Sequence, residues 1–375
     1  MHCPVGAARE QSHLESVEKI LKDKTKTVIV QMAPSVRASI GEEFGGEPGQ
    51  DVTGQMYTAF RMLGFNKIFD VNMGADITTI VEAEELIDRI KNKGVLPLFT
   101  SCCPAWVKFV EFYYPEFIPN LTTSRSPQIH SGAAYKTWWS EKEKINPKNI
   151  VVVSIMPCTS KKYEAAHEKL KINGMHAVDY VLTTRETALL LKKHNINPLD
   201  LSPSKVDHFG EYSGAAAIYG ASGGVMESAL RTAVKLVTGT DLKKLEFEAV
   251  RGMEGIKKTI VEVGGIKLKI AVVSTPKNAR IILEELKKNP HAYDYVEFMA
   301  CPGGCIGGGG QPLPTTDRIV KKRIAGLYAI DNGMSLRLAH ENLVVKDFFT
   351  YLKKLPQKKQ HELLHTHYSQ KKKYE

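Results

Sequence analysis

The sequence holds no apolar run near the roughly 18 residues that a membrane-spanning helix requires, so no membrane role is expected. Residues 1–25 also lack the apolar stretch of a secretory signal, which makes the cytoplasm the expected location. Cysteine is sparse: six in 375 residues, two of them adjacent, are too few and too awkwardly placed for a disulfide framework. Ligands or reactive thiols are the better reading. Internal repeats and long low-complexity segments are absent. No nucleic-acid motif accompanies the net charge of +10, whose lysines are spread along the chain, so nucleic acid is not expected as a partner. The same charge suits steering of an acidic protein onto a basic face. The glycines at 307–310 form no phosphate loop, because no G-x4-G-K-[ST] pattern follows them. Close backbone approach to a bound group is the alternative.

What is present is an alternation of apolar runs and helical patterns. With 43% apolar residues the chain can bury a large core, and the alternation marks an α/β fold of two lobes. Each lobe is expected to hold a small mixed or parallel sheet flanked by helices. Runs at 27–32 (TVIVQM), 95–99 (VLPLF), 150–156 (IVVVSIM), 270–274 (IAVVS) and 295–299 (YVEFM) read as buried strands. Helical spacing recurs at 52–63, 77–92, 105–114, 126–140, 184–194, 224–237 and 278–288. Three more helical stretches, at 317–329, 338–354 and 358–365, are expected to pack on the outside.

The cysteines sit where three of these strands end. Run 95–99 leads to Cys102 and Cys103, run 150–156 to Cys158, and run 295–299 to Cys301 with Cys305 four residues on. Ligands gather beyond the carboxyl ends of strands in α/β sheets, so these ends converging on a cleft between the lobes would make one thiolate pocket. Structural zinc sites usually show paired C-x2–4-C elements, and only Cys301-x3-Cys305 is of that kind. Iron–sulfur is thereby favoured over zinc without being fixed. Adjacent residues of an extended segment point to opposite sides, so Cys102 and Cys103 need different jobs.

The stretches TSCCPAW at 100–106, MPCTSKKYE at 156–164 and EFMACPGGCIGGGGQP at 297–312 resemble, in order, the three signature motifs of the iron-only, or [FeFe], hydrogenases. The resemblance implies an H-cluster: a [4Fe–4S] cubane joined through one cysteine sulfur to a two-iron unit carrying CO, cyanide and an azadithiolate bridge. By motif position, Cys103, Cys158, Cys301 and Cys305 would bind the cubane, with Cys305 as the bridge. Cys102 would pass protons to and from the bridge amine, with Glu82, Thr122 and Glu85 continuing the relay toward solvent. Glu82 and Glu85 lie three apart, on one helical face. Thr122 stands where the family usually has serine, and Tyr219 where relatives often carry phenylalanine. Without the resemblance, both glutamates would read as solvated helix positions.

Further pocket positions follow from the same resemblance. Lys161 and Ser35, in the Ala33-Pro34-Ser35 loop, would face the cyanides. Met156 and Met299 would pack on the two-iron unit, and Ser126, Gln128, Glu164 and Gly220 would complete the pocket. The activity implied is reversible 2H+ + 2e− ⇌ H2, with acidic ferredoxin as electron partner and dedicated maturation proteins inserting the two-iron unit. Met1-His2-Cys3-Pro4 resembles the end of a bacterial ferredoxin cluster motif whose partner cysteines are absent, so residues 1–25 are expected to be a ferredoxin-like remnant and linker, and 26–375 the hydrogenase domain. The rival classes are a hydrogenase-like iron–sulfur assembly protein, a sensory relative without H2 turnover, and a zinc-binding module.

Overall fold

A computed structural model describes residues 11–372 apart from Asp241 and Lys243; the Met1-His2-Cys3-Pro4 motif lies outside the described residues. Two four-stranded sheets form. The first has the order β2-β1-β4-β5, from β1 (Thr27–Met32), β2 (Lys67–Asp70), β4 (Ile150–Met156) and β5 (Tyr180–Thr183). All its pairings are parallel, with β1 against β4 in the register Thr27↔Ile150 to Met32↔Ile155. Parallel strands are covered on both faces, which is why β1 and β4 read as continuous apolar runs and are buried almost throughout.

The second sheet has the order β3-β8-β7-β6, from β3 (Leu98–Phe99), β6 (Ile256–Val263), β7 (Ile266–Ser274) and β8 (Tyr295–Met299). β8 pairs in parallel with β3 and β7, while β6 folds back antiparallel on β7. The expected two-lobed α/β architecture is present. Its two sheets are flanked by helices, with one core on the first sheet and two more on the opposite faces of the second.

Some boundaries differ from the sequence reading. The strand expected at 95–99 shrinks to β3, because Pro97 has no N–H and pairing begins only where Leu98 donates to the Asp294 carbonyl. β2, β5 and β6 are additional. The helix expected at 126–140 runs as Pro127–Ala134, widens into a π turn at Tyr135–Trp139 and ends in Ser140–Lys142. The helix expected at 338–354 starts at Leu343, because Asn342 caps it by accepting the Val344 N–H.

The Val71–Lys91 helix decides the geometry of the interior. Asp70 caps it through the Asn72 N–H, and it is buried on nearly every side along its first four turns. A Cβ on Gly74 would collide with the Pro127 carbonyl, so glycine there permits close contact with the Pro127–Ala134 helix. The C-terminal helices do more than coat the outside. Phe348 and Val345 of Leu343–Leu352 enter the first core. From Asp317–Gly333, buried Arg323 pairs with Glu42 and donates to the Ile306 and Pro312 carbonyls. No helix among the described residues is long and apolar enough to cross a membrane.

Candidate active site: a thiol-lined cavity between the two sheets

Three chain turns deliver the thiols. After β3, Thr100 Oγ1 accepts the Phe298 N–H, and the Trp106 indole donates to the Thr100 carbonyl while stacking on Phe298 with ring centroids 3.9 Å apart. That locks the Ser101–Cys103 turn, after which Pro104 opens the Pro104–Tyr113 helix, its missing N–H costing nothing in the first turn. After β4, the Pro157 carbonyl accepts the Gly310 N–H at 2.8 Å. Beyond β8, Cys301 and Cys305 flank a turn in which Gly303 and Gly304 take φ of 71° and 96°, values that favour glycine. Buried Gln311 then ties the glycine run to the Ser35 carbonyl and to the hydroxyls of Ser39 and Thr184.

The result is a cavity of about 250 Å³ lined by five free thiols, Cys102, Cys103, Cys158, Cys301 and Cys305. Two strands of the second sheet and one of the first supply them. Cys102 packs with Ala75, Tyr219 and Met299 beside Cys305, whereas Cys103 packs with Trp106 and the second-sheet core. The neighbouring cysteines thus serve different surroundings. Pro34, Ser35, Gln128, Met156, Lys161, Gly220 and Met299 also line the cavity. A Cβ on Gly220 would stand 2.5 Å from Ser35 Oγ, so glycine preserves that space.

The donor set fits a polynuclear iron–sulfur group. Burial pushes the Cys102, Cys103 and Cys305 thiols up, and that of Cys301 to about 12, so the pocket favours thiolates only when positive metal charge compensates them. Among the described residues, no three Cys, His, Asp or Glu side chains gather tightly enough to share one metal ion. Two polar atoms on the walls, Ser35 Oγ and Gln128 Oε1, are buried without a partner. The Gln128 amide has a fixed orientation, since its nitrogen donates to the Lys161 carbonyl and to Glu164. Orphaned polar atoms of this kind mark where a bound group supplies the missing contact.

Lys161 Nζ donates to the Cys102 carbonyl at 2.9 Å and to Glu164 Oε2 at 2.8 Å. Burial opposes the ammonium, yet Glu164 outweighs it and holds Lys161 above its ordinary value. Glu164 Oε2 also accepts from Ser126 at 2.8 Å and Gln128 at 2.6 Å. Ser126 and Glu164 therefore stand one layer behind the wall, supporting Lys161 and facing a smaller cavity of about 60 Å³ beneath Thr366–Lys371 instead of lining the main one.

The two glutamates have unlike settings. Glu82 is buried, and burial raises it to about 8. Its Oε1 accepts from the Tyr295 hydroxyl at 2.5 Å, and its Oε2 has no partner. Glu85 pairs with Arg89 at 2.5 Å and accepts from Thr122 Oγ1 at 2.6 Å and the Thr123 N–H at 2.9 Å. Both differ from solvated helix positions. Of the two glutamates Thr122 hydrogen-bonds only Glu85, its Oγ1 also accepting the Ser124 N–H, so the chain of contacts expected from Glu82 through Thr122 to Glu85 is open at its inner step. The Tyr219 hydroxyl is satisfied by Thr79 Oγ1 at 2.7 Å.

Sequence reasoning missed Tyr295, Thr123, Arg89 and Gln311. Arg89 was within reach, four residues after Glu85 on one helix. Tyr295 was too, because the period of two along β8 places it on the same face as Met299. Thr123 and Gln311 act through long-range contacts that carry no local signal.

Comparison with known proteins gives the family. A family model described as iron only hydrogenase large subunit, C-terminal domain, matches residues 26–309, and one described as iron hydrogenase small subunit matches residues 317–371. The chain is similar to Iron hydrogenase 1 of Clostridium pasteurianum, at 46% identity over 97% of this chain and 65% of that protein. The chain thus spans a little under two thirds of that relative's length. It is also similar to the periplasmic [Fe] hydrogenase large subunit of Nitratidesulfovibrio vulgaris, at 44% identity over 88% of this chain and 78% of that protein. Among solved structures, a variant of apo [FeFe]-hydrogenase HydA1 from Chlamydomonas reinhardtii matches with a TM-score of 0.84 and 38% identity, covering 96% of this chain and 99% of that one.

Proposed function

Because the chain belongs to the iron-only hydrogenase family, we propose that it interconverts protons, electrons and H2 at an H-cluster held in the thiol-lined cavity. The observation that carries this reading is the meeting of four ligand-type cysteines from two sheets with a fifth, Cys102, on one cavity wall. Cys103, Cys158, Cys301 and Cys305 would hold the cubane, and Cys305 would bridge to the two-iron unit. When bound, this group supplies electron storage in the cubane and, on a two-iron unit carrying CO, cyanide and azadithiolate, an open iron position for H2.

The chain's own residues do the rest. Lys161 and Ser35 present donors toward anionic ligands, and the free Gln128 oxygen accepts from the bound group. Met156, Met299 and Pro34 keep the site apolar and water out. Cys102 carries a proton between the cavity and Glu82. Raised to about 8, Glu82 both takes and releases a proton near neutrality. Beyond the open step after Glu82, Thr122 and Glu85 would continue the path toward the surface, with Arg89 holding the Glu85 carboxylate in place.

An acidic ferredoxin docking on the basic surface is the proposed electron partner, maturation proteins insert the two-iron unit, and the cytoplasm is the proposed location. Retention of Cys102, Lys161, Glu82 and Glu85 favours turnover over an assembly role, which needs only the cubane, and over a sensory role, in which the relay cysteine is typically replaced. The test is H2 production from a reduced dye by anaerobically matured protein, measured by gas chromatography beside iron analysis. A full iron complement with no H2 in either direction would point to the assembly or sensory reading.

A further inference from the structure

β8 presents Tyr295, Glu297 and Met299 on one face, as a period of two requires, while Val296 and Phe298 enter the aromatic core on the other. The three residues on the first face do different things. Met299 lines the thiol cavity, and Glu297 accepts the N–H groups of Gly223 at 2.6 Å and Met226 at 2.8 Å. Tyr295 is fully buried in one apolar cluster with Ala83 and Leu86 of the Val71–Lys91 helix, and its hydroxyl reaches Glu82 Oε1 at 2.5 Å.

We infer that Tyr295 is a positioning residue that fixes one oxygen of Glu82 and leaves the other, Oε2, as the single atom through which this carboxyl group exchanges protons. The inference rests on the reading of Glu82 as a relay group. Oε1 already accepts a hydrogen bond, so a proton arriving at the neutral carboxyl sits on Oε2, which is buried and has no partner. When Glu82 is ionised, the same hydroxyl gives a charge-assisted hydrogen bond that holds the side chain in place. No second donor to Glu82 is present among the described residues. The nearby Tyr219 hydroxyl does not compete, being engaged by Thr79.

The charges and titratable groups around Glu82 come from four directions. Its own helix brings Glu85 and Arg89, β8 brings Tyr295 and Glu297, and the Ala217–Gly220 wall and Ser101–Cys103 turn bring Tyr219 and Cys102. Of these only Tyr295 hydrogen-bonds to it. Burial raises Glu82, with the Tyr295 hydroxyl working in the opposite sense. Removing that donor therefore shifts the balance further toward the protonated form.

The experiment uses Tyr295→Phe in the matured enzyme, with Tyr295→Met as a second variant lacking the hydroxyl. One readout is the carboxylic C=O stretch of protonated Glu82 in the infrared, assigned by its loss in Glu82→Gln and followed against pH. The other is the alkaline limb of the pH profile of H2 evolution, which needs Glu82 protonated. Both midpoints are expected to move up by about one pH unit in each variant, with iron content unchanged. Midpoints that stay in place in both variants overturn the inference and leave Tyr295 as packing. Wild-type H2 evolution by Glu82→Gln sinks the relay reading instead, and the inference that rests on it falls too, whereas the infrared midpoint still reports the Tyr295 hydrogen bond by itself.

Discussion

The Thr122 hydroxyl donates to Glu85 Oε2 across 2.6 Å, and the same oxygen takes the N–H of the next residue, Thr123. The methyl that distinguishes threonine from serine leaves this contact intact. Thr122→Ser is therefore expected to stay within about twofold of wild-type turnover, whereas Thr122→Val, of equal shape but without the hydroxyl, loses about tenfold or more. Steady-state H2 production decides it, and equal rates in the two variants would remove Thr122 from the path.

Cys102 and Cys305 pack against the same apolar cluster, and the proposed roles make Cys102 the proton carrier and Cys305 a ligand. Cys102→Ser should keep the iron complement and the infrared pattern of the cluster, yet lose turnover by about a hundredfold or more, because an alcohol is a far weaker acid than a thiol. Cys305→Ala should lose turnover altogether, together with the two-iron unit. Wild-type rates in the serine variant reject the proton role.

Three donors converge on Glu164 Oε2, and one of them is the nearly buried ammonium of Lys161. Glu164→Ala leaves that charge without its carboxylate and is expected to cost about 3 kcal/mol in chemical denaturation. The double variant Lys161→Met with Glu164→Leu should cost less, since it leaves no buried charge unpaired. Additive costs would contradict the coupling.

Glu82 lies at about 8 against an ordinary value of 4.5, so the folded protein binds this proton more tightly than the unfolded chain. Its contribution to stability is fully present below the ordinary value and is lost as pH rises through about 8. The melting temperature of the wild type should therefore fall relative to Glu82→Gln from about pH 5 to about pH 9. A difference constant with pH contradicts the shift.

The cysteine arrangement was legible because each thiol follows a strand, and strands such as β1 and β4 announce themselves as apolar runs. β2 has only four residues, and β6, an edge strand, carries adjacent Lys257 and Lys258 and is buried only at Lys257 and Val263, so neither gave that signal. Without the family resemblance Glu82 reads as a solvated helix acid, because its burial comes from long-range packing that no local pattern encodes. Ser126 and Glu164 stand one layer behind the cavity wall, a placement that depends on the course of Lys161 across the wall and carries no local sequence signal. The hydroxyl of Tyr295 finds its partner 213 residues away in sequence, so the contact itself, unlike the strand face, was invisible.

The central claim is that this cavity holds an H-cluster, and infrared spectroscopy of anaerobically matured protein tests it most directly. The account predicts sharp bands from iron-bound CO and cyanide, retained in Cys102→Ser and lost in Cys305→Ala. Their absence from fully matured wild-type protein that holds its iron would contradict it.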